Sequence, residues 1–317
     1  LVKALQIIYQ EKPRVIFTTS PPHSAHLTGW LLRQLTGIKW VADFRDDWTG
    51  GESQPCPTPI HRLLNRFLEK LVLTTSDAVI GICDHLTRNL QRKSGLIKVL
   101  GGQKKNKFFT LTNGYDPEDF KGLNQIPREE KFTITHCGSV SRVSDPEPFL
   151  AALASLLTEA PGLKETLRVR FIGTDIFGRL AQLIPKYDLT DCVEVTGYLP
   201  HFEALRLLVR AHLLLLIVVK RTQEEVMTGK VFEYLASGTP VLAILPEGEL
   251  AQLIRTTHRG TTVSHDNIED IKKAIRNYYE LFLQRQLWLE APEPLSQFDR
   301  KNLTRKLAEI FELVARE

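Results

Sequence analysis

The sequence has few of the features that assign a chain to a specialised class of protein. Among 317 residues there are four cysteines, Cys56, Cys83, Cys137 and Cys192. Their spacing matches neither a zinc site nor a disulfide framework, so reduced thiols in a cytoplasmic protein are expected. No apolar run is long enough to span a bilayer, and no signal peptide is recognisable. Disulfide-rich, zinc-finger and membrane-spanning classes are therefore not indicated.

There is also little surplus charge. Lys and Arg number 41 against 37 Asp and Glu, which is too small a difference to indicate a nucleic-acid partner. The one compact cationic cluster is GGQKKNK at 101–107. We interpret it as a solvated loop, and its alternative is contact with a phosphate or an anionic membrane surface. The chain begins at Leu1 and its single methionine is Met227, which predicts that a native start is absent.

What the sequence does contain is a regular alternation of short apolar runs and amphipathic segments. The predicted strands are 14–19, 40–44, 77–82, 109–112, 132–137, 167–172, 193–196, 213–218 and 241–245. The predicted helices are 25–35, 60–74, 86–93, 148–157, 181–187, 202–211 and 230–237, and the chain after 267 is mostly helical. Strands separated by single helices indicate parallel sheets, which bind ligands at the carboxyl ends of their strands.

A loss of hydrophobic periodicity at 121–131 predicts a polar linker between two α/β domains. The first domain, 1–120, and the second, 132–290, are each predicted to be Rossmann-like. A helix in 291–317 is predicted to return towards the first domain.

One stretch of the second domain combines a glycine, a cation and a carboxylate. It reads TGKVFEYLASGTPVLAIL from Thr228, with Gly229 and Lys230 before an apolar helical pattern and Glu233 one turn later. A glycine lets a ligand approach the backbone, a lysine suits a diphosphate, and a carboxylate can accept hydrogen bonds from a ribose diol. The alternative is a solvated helix whose Lys and Glu form an exposed pair worth about 0.3 kcal/mol.

This stretch, with Glu225 eight residues before Glu233, resembles the signature of retaining family four glycosyltransferases with the GT-B fold. Other segments are similar to parts of that family in the expected order. They are SDAVIGI at 76–82, LTNGYD at 111–116, HCGS at 136–139, FIG at 171–173 and VTGYLP at 195–200. The resemblance covers nearly the whole chain.

The resemblance implies a nucleotide-sugar donor, held by the second domain, as a substrate with no cofactor and no metal. Lys230 and Gly229 would contact the pyrophosphate, Glu233 the ribose, and Glu225 the sugar hydroxyls. A loop after the first strand of this domain would lie near the phosphates; its residues are Gly138, Ser139 and Arg142. Relatives often have a lysine in that loop, and here the second cation would come from Lys230 alone, or from Lys220 or Arg221.

The first domain would hold the acceptor. SPPH at 20–23 and DFRDDW at 43–48 resemble the surface-polysaccharide branch of the family, in which a proline is usual where Asp47 stands. Asp43 and Asp46 join Glu225 as catalytic candidates, and the acceptor candidates are His23 and Arg45. An Arg45–Asp46 ion pair and structural roles for His23 and His26 are the alternatives.

Together these residues predict a glycosyltransferase that transfers a sugar with retention to a saccharide or lipid-linked acceptor in surface polysaccharide synthesis. Only one predicted strand precedes the Pro-Pro loop, so the N-terminal domain is expected to be incomplete. A sugar-nucleotide epimerase or hydrolase of the same fold, or a non-catalytic nucleotide-sugar-binding subunit, is the alternative. A location in the cytoplasm, or at the inner face of the cell membrane, is expected.

Overall fold

A computed structural model describes residues 1–50, 58–95, 107–219, 227–287 and 295–316. The strands are β1 Val15–Ser20, β2 Lys39–Phe44, β3 Ala78–Gly81, β4 Phe108–Thr110, β5 Phe132–Cys137, β6 Leu167–Ile172, β7 Val193–Gly197, β8 Leu213–Ile217, β9 Val241–Ile244 and β10 Gly260–Val263. The helices are α1 Val2–Glu11, α2 Ser24–Thr36, α3 Pro59–Thr75, α4 Asp84–Ser94, α5 Glu147–Glu159, α6 Leu163–Thr166, α7 Arg179–Lys186, α8 His201–Arg210, α9 Lys230–Ala236, α10 Glu249–Thr256, α11 Ile268–Leu283 and α12 Arg300–Arg316.

The chain divides into two compact units, one formed by Leu1–Asn113 with Arg300–Glu317 and the other by Gly114–Asp299. The segment 121–131, predicted as a linker, lies within the second unit. It contains a short 3-10 turn, Leu123–Gln125, and Leu123 is buried in that unit's core. The boundary in the structure thus falls earlier, directly after Asn113.

The first unit is built on a four-stranded parallel sheet in the order β1-β2-β3-β4. Val41 and Ile80 from the sheet pack against Leu303, Ile310 and Val314 of α12. The last helix of the chain therefore belongs to the core of the unit that contains the first strand.

The second unit is built on a six-stranded parallel sheet in the order β10-β9-β8-β5-β6-β7. From β5 the strands progress to one side through β6 and β7, and from β8 to the other side through β9 and β10. The direction of winding therefore reverses between β5 and β8. In open α/β sheets, ligands bind in the crevice at the carboxyl ends of the strands at such a switch point.

The apolar run in β8 shows why this sheet is central. Leu213, Leu215 and Ile217 join the hydrophobic cluster on one face of the sheet, while Leu214 and Leu216 join the cluster on the other. Successive side chains of a strand point to opposite faces, so a continuous apolar run indicates a strand covered on both sides.

The predicted α/β architecture with two parallel sheets is confirmed. Every predicted strand and helix has a counterpart in the structure, with ends that differ by a few residues. Four elements were not predicted: α1, α6, α10 and the edge strand β10. In the part of the chain that the structure describes, no helix is both long and apolar enough to cross a membrane.

Candidate functional site

The site in the second unit begins with two strands that each end at a glycine. Gly138 follows β5 with φ +132° and Gly173 follows β6 with φ +130°, backbone conformations that favour glycine. The Gly138 N–H donates to the Ile172 carbonyl at 2.8 Å. A Cβ on Gly173 would lie 2.5 Å from the Gly138 carbonyl oxygen. Neither position accepts a side chain, and the two loops meet closely.

Lys230, the first residue of α9, occupies the space that the missing side chain of Gly138 leaves open. A Cβ on Gly138 would lie 2.4 Å from the Lys230 Nζ. Lys230 is half-buried, and burial lowers the pKa of its ammonium group, an effect that the neighbouring Cys137 thiol opposes. Among the described residues, Lys230 has no carboxylate partner. A desolvated cation without a counter-charge favours the binding of an anion.

Tyr234 fixes the position of α9 on the sheet. Its fully buried hydroxyl accepts the Cys137 N–H at 2.6 Å and lies 3.2 Å from the Cys137 carbonyl oxygen. The hydroxyl is also 3.5 Å from the Leu215 carbonyl of β8. Burial raises the pKa of Tyr234 well above its usual value, so the phenol is neutral. One turn before Tyr234, Lys230 is thereby placed at the end of β5, beside the switch point.

The Glu233 carboxylate bonds to His201 and not to Lys230, the partner considered from the sequence. Its Oε1 accepts a hydrogen bond from Nε2 of His201 at 2.9 Å, and His201 is the first residue of α8. The exposed Lys230–Glu233 pair considered as an alternative is not formed. Gly229 has φ −61°, a conformation open to any residue, so its backbone does not require glycine.

His136, which lies under the same loop, is a buried neutral group. It is fully buried, and its Nδ1 lies 2.9 Å from the Leu215 carbonyl oxygen. Burial, together with the charge of Lys230, lowers the pKa of His136 to about 3. His136 is therefore uncharged at neutral pH.

The remaining candidate site residues of the second unit either lie in an exposed loop or fall outside the described residues. Ser139 and Arg142 are both exposed, and the Arg142 guanidinium lies 5.3 Å from the centre of the Phe177 ring. The Ser144 hydroxyl donates to the Ser139 carbonyl at 2.9 Å and closes the loop on itself. Glu225, a catalytic candidate, lies outside the described residues. So do Lys220 and Arg221, the candidates for a second cation.

In the first unit, Asp43 is the last but one residue of β2 and is almost fully buried. One carboxylate oxygen, Oδ2, accepts hydrogen bonds from Thr19 Oγ1 at 2.8 Å and from Arg45 Nε at 2.7 Å. Arg45 also donates to the Asn113 side-chain oxygen at 3.0 Å. The structure thus contradicts the Arg45–Asp46 ion pair considered from the sequence. Arg45 pairs with Asp43 because both face the same strand end, and Asp46 is exposed.

His23 is also buried at this strand edge. Its ring stacks on Trp48 with centroids 5.0 Å apart and planes within 5°. Burial lowers the pKa of His23, against the neighbouring carboxylates of Asp46 and Asp47. In the described part of the chain, three buried polar atoms at this edge lack a hydrogen-bond partner: Ser20 Oγ, His23 Nδ1 and Asp43 Oδ1.

Asp47 holds the loop after β2 through its carboxylate. Its Oδ1 accepts the N–H groups of Thr49 at 3.3 Å and Gly50 at 3.2 Å. The same carboxylate pairs with Lys93 of α4, which also lies 3.1 Å from Glu69 of α3. Hydrogen bonds and an ion pair therefore support this loop.

Sequence reasoning did not identify His201 or Tyr234 as part of the site. Tyr234 was within the stretch analysed, but its contact with β5 depends on strand order across the sheet. His201 carries no local signal, because its partner is 32 positions away. In the described residues, no cluster of three or more His, Cys, Asp or Glu could hold a metal ion.

Solved structures with the same architecture give the fold its family context. The Anabaena protein Alr3699/HepE in complex with UDP-glucose is similar at a TM-score of 0.70 with 16% identity, over 98% of this chain and 81% of that one. Sucrose-phosphate synthase from Thermosynechococcus elongatus is similar at 0.70 with 18% identity, over 100% and 78%. The N-terminal domain of Candida albicans trehalose-6-phosphate phosphatase is similar at 0.69 with 14% identity, over 98% and 72%. At these identities the likeness shows the fold alone, which is GT-B-like.

Family models add the sequence evidence. A model described as glycosyl transferase 4-like domain matches residues 2–98. A model described as glycosyl transferases group 1 matches residues 120–288, which is more than half of the chain. A search of curated proteins finds no match. The chain therefore belongs to the group 1 glycosyl transferases, for which a nucleotide sugar is a substrate rather than a cofactor.

Proposed function

We propose that the second unit binds a nucleoside diphosphate sugar with its diphosphate at Lys230 and Gly138. The observation that carries this proposal is the half-buried Lys230 ammonium, which lies at the switch point of a parallel sheet without a carboxylate partner among the described residues. An arriving diphosphate would restore the pKa of Lys230, since a neighbouring anion favours the charged form.

The same cation explains how the site would assist transfer. Breaking the bond between the sugar and the diphosphate leaves negative charge on the leaving group, and a positioned ammonium stabilises that charge as it develops. The glycine loop lets the diphosphate approach closely, because Gly138 and Gly173 present no side chains. Arg142, in the exposed loop after β5, is proposed as a further phosphate contact, with Ser139 beside it.

Glu233 is proposed to bind the ribose. His201 holds one oxygen of its carboxylate, so the group has a fixed orientation before a nucleotide arrives. Gly229 precedes Lys230 at the entrance to α9, and Glu225 keeps its proposed role at the sugar hydroxyls.

The acceptor is proposed to bind at the carboxyl edge of the first unit's sheet. His23 Nδ1 and Asp43 Oδ1 are buried polar atoms without partners in the described part of the chain, and each could bind an acceptor hydroxyl. Arg45 orients the Asp43 carboxylate through its 2.7 Å ion pair. Asp46, exposed on the next turn of chain, is the remaining catalytic candidate.

We propose that the reaction retains the anomeric configuration and serves surface polysaccharide synthesis, on a saccharide or lipid-linked acceptor. Such acceptors are met in the cytoplasm or at the inner face of the cell membrane. The resemblance of SPPH and DFRDDW to that branch of the family supports this assignment.

Calorimetric titration tests the donor site. The chain is titrated with UDP, GDP and ADP and with the corresponding nucleosides, alongside Lys230→Met, Glu233→Ala and the control Lys273→Met on the exposed face of α11. Lys230→Met should weaken binding of the preferred diphosphate about tenfold to a hundredfold, since hydrogen bonds to charged groups are worth about 1.5–3 kcal/mol. It should leave nucleoside binding nearly unchanged.

Glu233→Ala should weaken the diphosphate and the nucleoside equally, because both contain the ribose. Equal losses for Lys230→Met would contradict the phosphate role of Lys230. Binding of no nucleotide would contradict the donor site as a whole. Product analysis with a nucleotide sugar then separates transfer from the alternatives: free sugar without an acceptor indicates a hydrolase, and an altered nucleotide sugar indicates an epimerase.

A further inference from the structure

Helix α3 has two opposite faces, and only one of them packs against the protein. Glu69, Val72 and Leu73 are its buried residues. The stripe on the other side consists of four large apolar side chains that are exposed by between half and three quarters. They are Ile60 at 77%, Leu63 at 72%, Leu64 at 51% and Phe67 at 62%. We call these four residues the α3 stripe.

The spacing of the α3 stripe places its members on one helical face. They follow the i, i+3, i+4, i+7 pattern, and at about 100° per residue their centre lies roughly 180° from that of the buried set. The stripe therefore faces away from the first unit. Single exposed apolar residues are ordinary on protein surfaces, but a contiguous group of four marks an interaction site.

The exposed charged residues of α3 are all positive. Arg62, Arg66 and Lys70 are exposed on the helix, and Arg66 and Lys70 lie along one flank of the stripe. The single carboxylate of α3 is Glu69, which is buried and bonded to Lys93 and Thr49. No acidic group of the helix therefore reaches the surface beside the stripe.

The second half of α3 is held firmly on the protein. The Lys107 Nζ donates to the carbonyl oxygens of Thr74 at 3.1 Å and Ser76 at 2.7 Å, where a cation complements the helix C-terminus. Lys107 was the last residue of the cationic cluster 101–107, whose other residues lie outside the described chain. The helix is thus anchored at one end and presents its stripe at the other.

We propose that the α3 stripe docks the chain on an anionic membrane surface. Helices that lie in a membrane interface combine Leu and Phe on one face with Lys and Arg beside it, and their cations contact lipid phosphates while the apolar groups enter the headgroup region. Arginine and lysine can keep their charges in water while their stems cover apolar surface. The combination of an apolar stripe with cations and no exposed carboxylate fits this partner better than a protein helix of mixed charge. The proposal does not depend on the donor site.

Co-sedimentation with lipid vesicles tests it directly. The chain is mixed with vesicles of equal parts phosphatidylglycerol and phosphatidylcholine, and with vesicles of phosphatidylcholine alone. Binding is expected to the anionic vesicles and to weaken as salt is raised, because screening removes the attraction of the cations. The double variant Leu63→Ser/Phe67→Ser should bind at least tenfold more weakly, since two large apolar groups no longer leave water. Arg66→Gln/Lys70→Gln, on the flank of the stripe, should also lose about tenfold or more.

Matched controls keep the result specific to α3. Leu35→Ser/Leu283→Ser removes two leucines that are about as exposed, 62% and 61%, from other helices. It should bind the anionic vesicles like the unaltered chain. All variants alter exposed residues, so their circular dichroism and thermal unfolding should match those of the unaltered chain, and nucleotide binding should be preserved.

Several results would overturn the proposal. They are no binding to anionic vesicles, equal binding to both vesicle types, or full binding by Leu63→Ser/Phe67→Ser. Size-exclusion chromatography without lipid covers the protein alternative. If the chain is oligomeric and that same variant is monomeric, the stripe is an interface between copies and the membrane assignment is wrong.

Discussion

The carboxyl edges of the two sheets carry charged residues in both units, but the charges are arranged differently. In the first unit, Asp43 pairs with Arg45, and Asp47 and Glu69 share Lys93. In the second unit, Lys230 is half-buried beside Gly138 without a carboxylate among the described residues. Among the described residues, the carboxylates of the first edge have cationic partners, whereas Lys230 of the second edge has no carboxylate partner.

The two sheets also differ in topology. The described strands of the first sheet are in sequential order, while the second sheet reverses its winding between β5 and β8. A charged strand end alone is therefore a weak indication of a ligand site. A charge without a partner, at a point where the winding reverses, is a stronger one.

The largest effect is expected where the first unit's internal charges are broken. Lys93→Met should lower the free energy of unfolding by about 3–5 kcal/mol, because it leaves two buried carboxylates, Asp47 and Glu69, without their cation. The control Lys121→Met breaks the exposed pair with Glu118 and should cost less than about 1 kcal/mol. Urea unfolding measures both. A cost for Lys93→Met no greater than for the control would show that the cluster is not self-neutralising.

Replacing a lysine by methionine in the second unit, at Lys230, should have a different result. Lys230→Met removes a desolvated cation, so the stability of the free chain should stay the same or rise. The stabilisation by the preferred nucleoside diphosphate, about 2.7 kcal/mol at a hundred times its dissociation constant, should fall to about half or less. Thermal unfolding with and without the nucleotide measures both quantities. A loss of stability in the free chain would mean that Lys230 has a structural partner.

Acid should weaken both units through buried histidines whose pKa values burial lowers, His23 and His26 in the first and His136 and His212 in the second, and the lowest values belong to His26 and His136. Burial lowers the pKa values of His26 and His136 to about 3, so each must release a proton on folding below its unfolded value near 6.5. Their stabilising contribution is complete above that pH and falls by about 1.4 kcal/mol per pH unit, for each histidine, as the pH drops towards 3.

Replacement of each histidine by glutamine tests this expectation. His136→Gln should make the acid loss of stability shallower, and His26→Gln should do so independently, whereas the exposed control His61→Gln should leave the slope unchanged. Unfolding curves between pH 7 and pH 4 give the slopes. An unchanged slope for His136→Gln would mean that His136 titrates normally in the folded chain.

The smallest effect is expected from the group that positions Lys230. Tyr234→Phe removes the acceptor of the Cys137 N–H and should destabilise the chain by about 1–3 kcal/mol. It should also weaken diphosphate binding, since α9 loses its bond to the end of β5. Tyr278→Phe, which removes an exposed 3.0 Å bond to Thr261, is the control for both measurements. Unaltered diphosphate affinity in Tyr234→Phe would show that packing alone places Lys230.

Much of the fold follows from local sequence, because the central strands are short and strongly apolar. The run from Leu213 to Val218, predicted as a buried strand, forms β8 and is covered on both faces, and β5 and β6 match their predicted bounds. The edge strand β10 was not predicted, because its sequence, GTTV, is partly exposed and has no apolar run. Local sequence patterns do not predict a strand such as β10, which forms because a neighbouring strand pairs with it and not because its own side chains are apolar and buried.

The sequence indicated candidate residues more readily than the contacts between them. Lys230 and Glu233 were identified from their spacing in one helix. Their contacts, Gly138 and His201, come from other elements, and the order of strands in the sheet brings them together. The Arg45–Asp46 pair was the wrong choice between two nearby carboxylates, because Asp43 shares the strand edge with Arg45. Neighbours in sequence were thus a poor guide to ion pairs.

The path of the chain makes the second unit a continuous insertion within the first. The chain leaves the first unit after Asn113 and returns to it at Arg300, so residues 114–299 form the insertion. Its two ends are held together by a hydrogen bond of 3.0 Å from the Tyr115 N–H to the Phe298 carbonyl. Adjacent termini of this kind allow a domain to be excised or exchanged. The second unit could therefore be produced alone as a contiguous segment, whereas the first unit needs Asn113 joined directly to α12.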